Sequence, residues 1–148
     1  LDPASPNVLV GGKRPRTTLS PTIVRLDGRP FLAMSTPGGD SQDQQVLNVL
    51  LNVVIFGMEL QAAIEAPRLN SNHPHSSFDN HANAPGQLDL EGRIAATVQD
   101  ELRSRGHVLR VLGPYGMSSG VVAVGVNLKT GTLRGGADLR RERYIMGW

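Results

Sequence analysis

Residues 22–56 set local signals in an order that restricts the fold more than any other part of the chain. Thr22–Leu26 and Phe31–Met34 are short apolar runs separated by Asp27-Gly28, a dipeptide that favours a tight hairpin turn. Pro30 is tolerable near the start of the second strand. That strand leads into Ser35-Thr36-Pro37-Gly38-Gly39, after which Ser41-Gln42-Asp43-Gln44 reads as a capping box with Ser41 as N-cap. A helix is predicted over residues 41–56. It is apolar at Val46, Leu47, Val49, Leu50, Leu51, Val53, Val54 and Ile55, nearly all round. Such a helix has to be buried on most sides, as between two layers.

The flanking sequence completes an α+β layout. Residues 1–10 form an irregular lead-in, with Pro and Gly signals continuing to residue 16. Leu1-Asp2-Pro3-Ala4-Ser5-Pro6-Asn7 has neither an initiator methionine nor a signal-peptide pattern, so residues 1–148 read as a single-domain fragment of something longer. Gly57 ends the apolar helix, and Glu59–Ala66 reads as a second helix stopped by Pro67. Residues 68–88 read as a long polar loop. Asp89 is expected to cap a third helix with Ile94, Val98 and Leu102 on one face and Gly106 at its end. His107–Leu112, Val121–Asn127 and Thr132–Ala137 read as strands, the last two joined by Lys129-Thr130-Gly131. The order is β-β-α-α-α-β-β-β, with an antiparallel sheet packed against helices.

Composition narrows the function classes. A net charge of +2 gives no push towards nucleic acid, and the basic clusters at Lys13–Arg16 and Arg140–Arg143 read as solvated or locally paired. There is no cysteine, which removes disulfides, thiol catalysis and thiolate metal sites. The most apolar run, Val46–Met58, is too short to span a bilayer and is interrupted by Asn48 and Asn52. His73, His75 and His81 sit in the polar loop, where ligands are rarely fixed, so no metal or other cofactor is expected.

Two places carry candidate chemistry. Successive glycine N–H groups at Gly38 and Gly39, just before a helix, suit a developing oxyanion, helped by the helix dipole. The same pair is equally an ordinary strand-to-helix turn, the commoner meaning of a lone Gly-Gly. Thr17 and Thr18 offer adjacent hydroxyls for a substrate carboxylate, with Lys13, Arg14 or Arg16 nearby. Their bland reading is an ST-turn or a strand start. A phosphate-binding turn lacks a Walker or dinucleotide fingerprint. A non-catalytic binding or structural module therefore stays open beside an enzyme. Ser118-Ser119 reads as a strand start near the core.

Several segments in one order resemble the small subunit of the gamma-glutamyltransferases (gamma-glutamyltranspeptidases). They are GKRPRTTLSPTIV, FLAMSTPGG and VLNVLLNVVIFGMELQAAIEAPRL, then Arg105-Gly106-His107, Ser118-Ser119-Gly120 and the run from Gly131 to Arg141. The resemblance covers roughly residues 11–148. It implies part of an αββα sandwich of the N-terminal-nucleophile hydrolase type. It also implies a self-cleaving precursor whose new N-terminal threonine attacks a gamma-glutamyl amide, such as that of glutathione. The acyl-enzyme then passes to water or an amino acid. By position, Gly38 and Gly39 match the oxyanion hole, and Thr17 and Thr18 match a hydroxyl pair, usually Ser-Ser, that holds the α-carboxylate.

The same resemblance places the nucleophile, and the residues that hold the α-amino group, before residue 11 and outside this chain. The expected partners are therefore the large subunit and the missing N-terminal part of the small subunit. The fragment alone is expected to be inactive, to expose apolar surface and to self-associate. Many relatives are exported, which leaves the compartment open. Three departures stand out: Arg16 where an apolar residue is usual, Asp40-Ser41-Gln42 where Ser-Arg is common after the glycines, and Leu139 in place of a proline. Arg16 beside the carboxylate site and Asp40 beside the oxyanion hole point to altered substrate preference, so acyl amides other than gamma-glutamyl remain in play.

Overall fold

The computed structural model describes residues 2–15, 17–78 and 80–147. Its elements run β1 (Thr22–Leu26), β2 (Arg29–Ser35), α1 (Gln42–Val54), α2 (Leu60–Glu65), β3 (Leu69–Ser71), β4 (Gln87–Glu91), α3 (Ala96–Ser104), β5 (Val108–Leu112), β6 (Val122–Val126) and β7 (Leu133–Ala137). The α+β class and the five predicted strands hold. The segment expected to be a polar loop instead contains β3 and the first two residues of β4, and Asp89 lies in β4 rather than at a helix N-terminus. The reason is local: Leu88 and Leu90 alternate with Asp89, and all three are buried in a central strand.

Two sheets result. One has the order β1-β2-β6-β7 and is antiparallel throughout. The other has the order β3-β4-β5; β3 pairs antiparallel with β4, but β4 and β5 run parallel across α3. The expected antiparallel sheet packed against helices is present, and the parallel β4–β5 pair is an addition to it. A parallel neighbour needs a crossover connection, which α3 supplies.

The core lies where α1 and α2 meet one face of the four-stranded sheet. Leu32 and Met34 of β2, Val121 and Ala123 at β6, Val46 and Val49 of α1, and Leu60, Ala63 and Ile64 at α2 form it. Gly136 of β7 makes this contact close. A Cβ there would stand 2.6 Å from Ile64 Cδ1 and 3.3 Å from Leu60 Cγ. On the other face the row Ile23, Ala33, Val124, Gly135 runs across the sheet, with Ile23 and Val124 exposed.

The apolar helix departs from expectation in two ways. It is not buried on most sides: Leu47, Leu51 and Val54 are exposed, and Ile55 and Phe56 follow them into solvent. The capping box also does not form. A 3-10 turn at Gly39–Ser41 precedes α1, Ser41 makes no side-chain cap bond, and Gln44 instead exchanges hydrogen bonds with the Ser71 backbone at 2.7 and 3.1 Å. Gln44 therefore ties α1 to β3.

A buried ion cluster joins the two sheets. Arg140 Nε and Nη2 reach the two Glu91 oxygens at 2.6 and 2.7 Å, and Arg140 Nη1 reaches Asp138 at 3.1 Å. Arg68 Nη2 pairs with Asp138 at 2.7 Å. The side chains of Arg68, Glu91, Asp138 and Arg140 are all fully buried. Arg93 adds a bond to Glu91 at 2.8 Å and stacks over the Tyr115 ring at 3.8 Å.

Burial pushes the Glu91 carboxyl up. Hydrogen bonds and charge from Arg140, then Arg93 and the Met117 amide, outweigh it, so the group is held below its ordinary 4.5. A depressed carboxyl stabilises the fold above its unfolded value and loses that contribution as pH falls through the folded one. Unfolding free energy from urea titrations is therefore expected to drop once pH falls below about 4.5. Glu91→Gln, which leaves Arg140 undercompensated, should cost about 3–5 kcal/mol at neutral pH and flatten that acid limb.

Candidate active site

The turn that follows β2 is built around two glycines. Gly38 has φ 147° and Gly39 has φ 57°, a region that L side chains avoid. A Cβ on Gly39 would lie 2.9 Å from Phe78 Cε2, and one on Gly38 would lie 2.9 Å from Ser41 Oγ. A side chain at either position would therefore be strained and would have to push Ser41 or Phe78 aside. Among the described residues no acceptor takes the N–H of either glycine. Gly38 and Ser41 border an open cleft of roughly 440 Å³, whose other walls include Gln44, Asn72, His75, Phe78 and Arg110.

The segment over this turn was read from sequence only as loop. Asp40, next to the glycines, accepts hydrogen bonds from the Ser77 N–H and Oγ, which draws residues 76–78 across the turn and brings the Phe78 ring to Gly39. Phe78 and Ser77 carried no signal in the sequence, because their part comes from a contact with a residue 37 positions away.

Thr18 reaches the same neighbourhood. Gln42 Nε2, in the first turn of α1, is 3.5 Å from Thr18 Oγ1. Thr17 is exposed, and its Oγ1 accepts the Leu19 N–H at 3.1 Å, so the ST-turn reading is present as well. Arg16 lies outside the described residues. Lys13 is turned away, its ammonium on the carbonyls of Pro6 and Val8.

The remaining candidates have local roles. His73 accepts the Gly86 N–H, while His75 and His81 bond to the backbone at His81 and Ser76. These contacts stitch the 73–86 segment together. Ser119 is not at a strand start; it is buried between Arg68 Nη1 at 3.0 Å and Gln45 Oε1 at 3.1 Å. Arg110, at the cleft, is engaged by Asp89. Burial pushes the Asp89 carboxyl up, but hydrogen bonds from Arg110, Asn72 and Gln87 outweigh that and hold it low.

A strand, a glycine turn whose N–H groups take no acceptor among the described residues, and a helix start thus meet at the edge of this cleft. Comparison with known proteins shows the family. The family model described as gamma-glutamyltranspeptidase matches residues 1–148, and the chain belongs to that family. It is 31% identical, over 100% of its length and 27% of the relative's, to an oxamate amidohydrolase proenzyme of Klebsiella pneumoniae. It resembles the solved structure described as LmbA2991HD with TM-score 0.81 and 39% identity, covering 94% of this chain and 25% of that one. A gamma-glutamyltranspeptidase from Pseudomonas nitroreducens, complexed with L-DON, matches with TM-score 0.69 and 26% identity over 98% of this chain and 69% of that one. The fold is accordingly that of the N-terminal-nucleophile hydrolases of this family. The chain spans 22–27% of the length of curated glutathione hydrolase and oxamate amidohydrolase proenzymes that it matches almost end to end.

If Asp40 holds the covering segment, Asp40→Ala should raise hydrogen exchange at the Ser77 amide by about tenfold, the loss of one charge-assisted bond. Exchange at Val49 in the core should stay unchanged.

Proposed function

We propose that this chain is the C-terminal part of the small subunit of an amide hydrolase or acyltransferase with an N-terminal threonine nucleophile. The pair of N–H groups at Gly38 and Gly39, which take no acceptor among the described residues and of which Gly38 borders a cleft, carries the reading. The threonine comes from sequence outside these 148 residues, exposed by self-cleavage of a precursor. Its amine takes the hydroxyl proton, and the oxygen attacks the amide carbonyl. The carbonyl oxygen becomes an oxyanion, which Gly38 and Gly39 stabilise. The amine leaves with a proton, and the acyl-enzyme passes to water or to an amino acid. Thr17 and Thr18, with Arg16, hold the substrate carboxylate; the position of Thr18 beside Gln42 supports this.

The substrate class is an amide whose acyl group carries a carboxylate, with gamma-glutamyl amides such as glutathione first. A related non-glutamyl amide is the second reading, favoured by the 31% identity of this whole chain to a 27% stretch of the oxamate amidohydrolase proenzyme. The large subunit and the preceding part of the small subunit cover the exposed apolar residues of α1 and of the turn after it, and the outer sheet face, including Leu47, Leu51, Phe56, Ile23 and Val124. Without them the segment self-associates, which light scattering after size exclusion would register as species heavier than 15.9 kDa.

The full-length protein is expected to release nitroaniline from a gamma-glutamyl anilide, or ammonia from a short oxo-acid amide, while the purified 148-residue segment turns over neither. Thr18→Val in the full-length protein should raise KM about tenfold with a smaller change in kcat, the loss of one hydrogen bond to a charged group. Turnover by the segment alone, or no turnover by the full-length protein across acyl amides, contradicts the reading.

A further inference from the structure

The carbonyls of the two peptides that carry the glycine N–H groups are both held by side-chain hydroxyls. Thr36, at the end of β2, is buried, and its Oγ1 accepts the Gly120 N–H at 3.0 Å. Its single proton goes to the Pro37 carbonyl at 2.8 Å. That carbonyl belongs to the peptide whose N–H is that of Gly38. Ser41 Oγ donates to the Gly38 carbonyl at 2.8 Å, and the Ser41 N–H approaches the same oxygen at 3.2 Å. This second carbonyl belongs to the peptide whose N–H is that of Gly39.

A trans peptide is planar, so its C=O and N–H point in opposite directions. Fixing the carbonyl therefore fixes the direction of the N–H. The constraint matters here because glycine lets adjoining peptides rotate at low steric cost. An oxyanion hole works only if its donors are already aimed before charge develops.

We propose that Thr36 and Ser41 are positioning residues that aim the Gly38 and Gly39 N–H groups at the oxyanion; this rests on the oxyanion-hole reading above. Thr36 is itself anchored through Gly120. The neighbouring Val121 N–H is held by Asp138 at 2.9 Å, and the Ser118 carbonyl by Arg141 Nε at 2.6 Å. A valine at position 36 would keep the shape but leave the Gly120 N–H without its acceptor and the Pro37 carbonyl without its donor. Ser41 is only half-buried, so its hydroxyl is removable with little effect on packing.

The test uses the full-length protein with the amide it turns over fastest, comparing Thr36→Val, Thr36→Ser, Ser41→Ala and Gly39→Ala. Thr36→Val and Ser41→Ala should each lower kcat by about tenfold to a hundredfold, somewhat less than deletion of a whole donor, with KM within about threefold. Thr36→Ser, which keeps the hydroxyl, should restore kcat to within about threefold. A boronic acid that forms a tetrahedral adduct with the nucleophile should bind more weakly by the same factor as kcat falls, while the carboxylate product binds unchanged. If Thr36→Val fails to fold, Ser41→Ala and Thr36→Ser carry the comparison. The proposal fails if kcat survives in Ser41→Ala and Thr36→Val, or if kcat, KM and product affinity worsen together. Loss of kcat in Gly39→Ala alone would leave the oxyanion hole standing and remove only this proposal. A boronic-acid adduct with every oxygen beyond hydrogen-bond reach of both glycine nitrogens would remove both.

Discussion

Arg140 and Glu91, joined by two parallel hydrogen bonds with no exposure to solvent, are the interaction on which the arrangement of this chain depends. Glu91 ends the central strand of one sheet, and Arg140 follows the last strand of the other. Their pairing, with Arg68 and Asp138 added, fixes one sheet against the other. Arg140 also donates to the carbonyls of Ile64 and Ala66, so the end of α2 is drawn into the same cluster. Such a cluster is not strong evidence of net stability, since burying charges costs about what their attraction returns. Its value is geometric: each guanidinium has donors in fixed directions, and few alternative packings satisfy them.

From that cluster a chain of contacts runs to the glycine turn. Asp138 holds the Val121 N–H, and Arg68 holds Ser119, which bonds to Gln45 in the first turns of α1. Gly120, between them, donates to Thr36. The start of α1 and the end of β2 are thus both referred to the same buried charges. The turn between them has little freedom left, although it contains two glycines. A site that must present bare N–H groups needs a backbone without side chains, and a backbone without side chains needs to be held from elsewhere.

Much of this was legible in the sequence, but only where the signal was local. The hairpin at Asp27-Gly28, the end of α2 before Pro67 and the β6–β7 turn follow from residues within a few positions of each other, and they hold. Strands β3 and β4 did not, because Leu69–Ser71 is too short and polar to show a period, and Asp89 looked like a cap when it is a strand residue paired with Arg110. Ser41 and Gln44 matched a capping box, yet Gln44 gains more from bridging to Ser71, a long-range contact that no spacing rule sees. The glycine pair was legible as a candidate, and Asp40 as its neighbour; Thr36, Ser77, Phe78 and the bond from Asp40 to Ser77 were not, since each acts through a partner distant in sequence or through its own backbone geometry. The exposed apolar side of α1 is a similar case: the pattern demanded burial on most sides, and Leu47, Leu51 and Val54 nevertheless stay exposed among the described residues.

A structure of the full-length protein with a boronic acid bound as a tetrahedral adduct tests the central claim most directly. The account predicts one adduct oxygen within about 2.7–3.1 Å of both the Gly38 and Gly39 nitrogens. An adduct whose oxygens all lie away from these two N–H groups, or whose oxyanion is held by other donors, would contradict it.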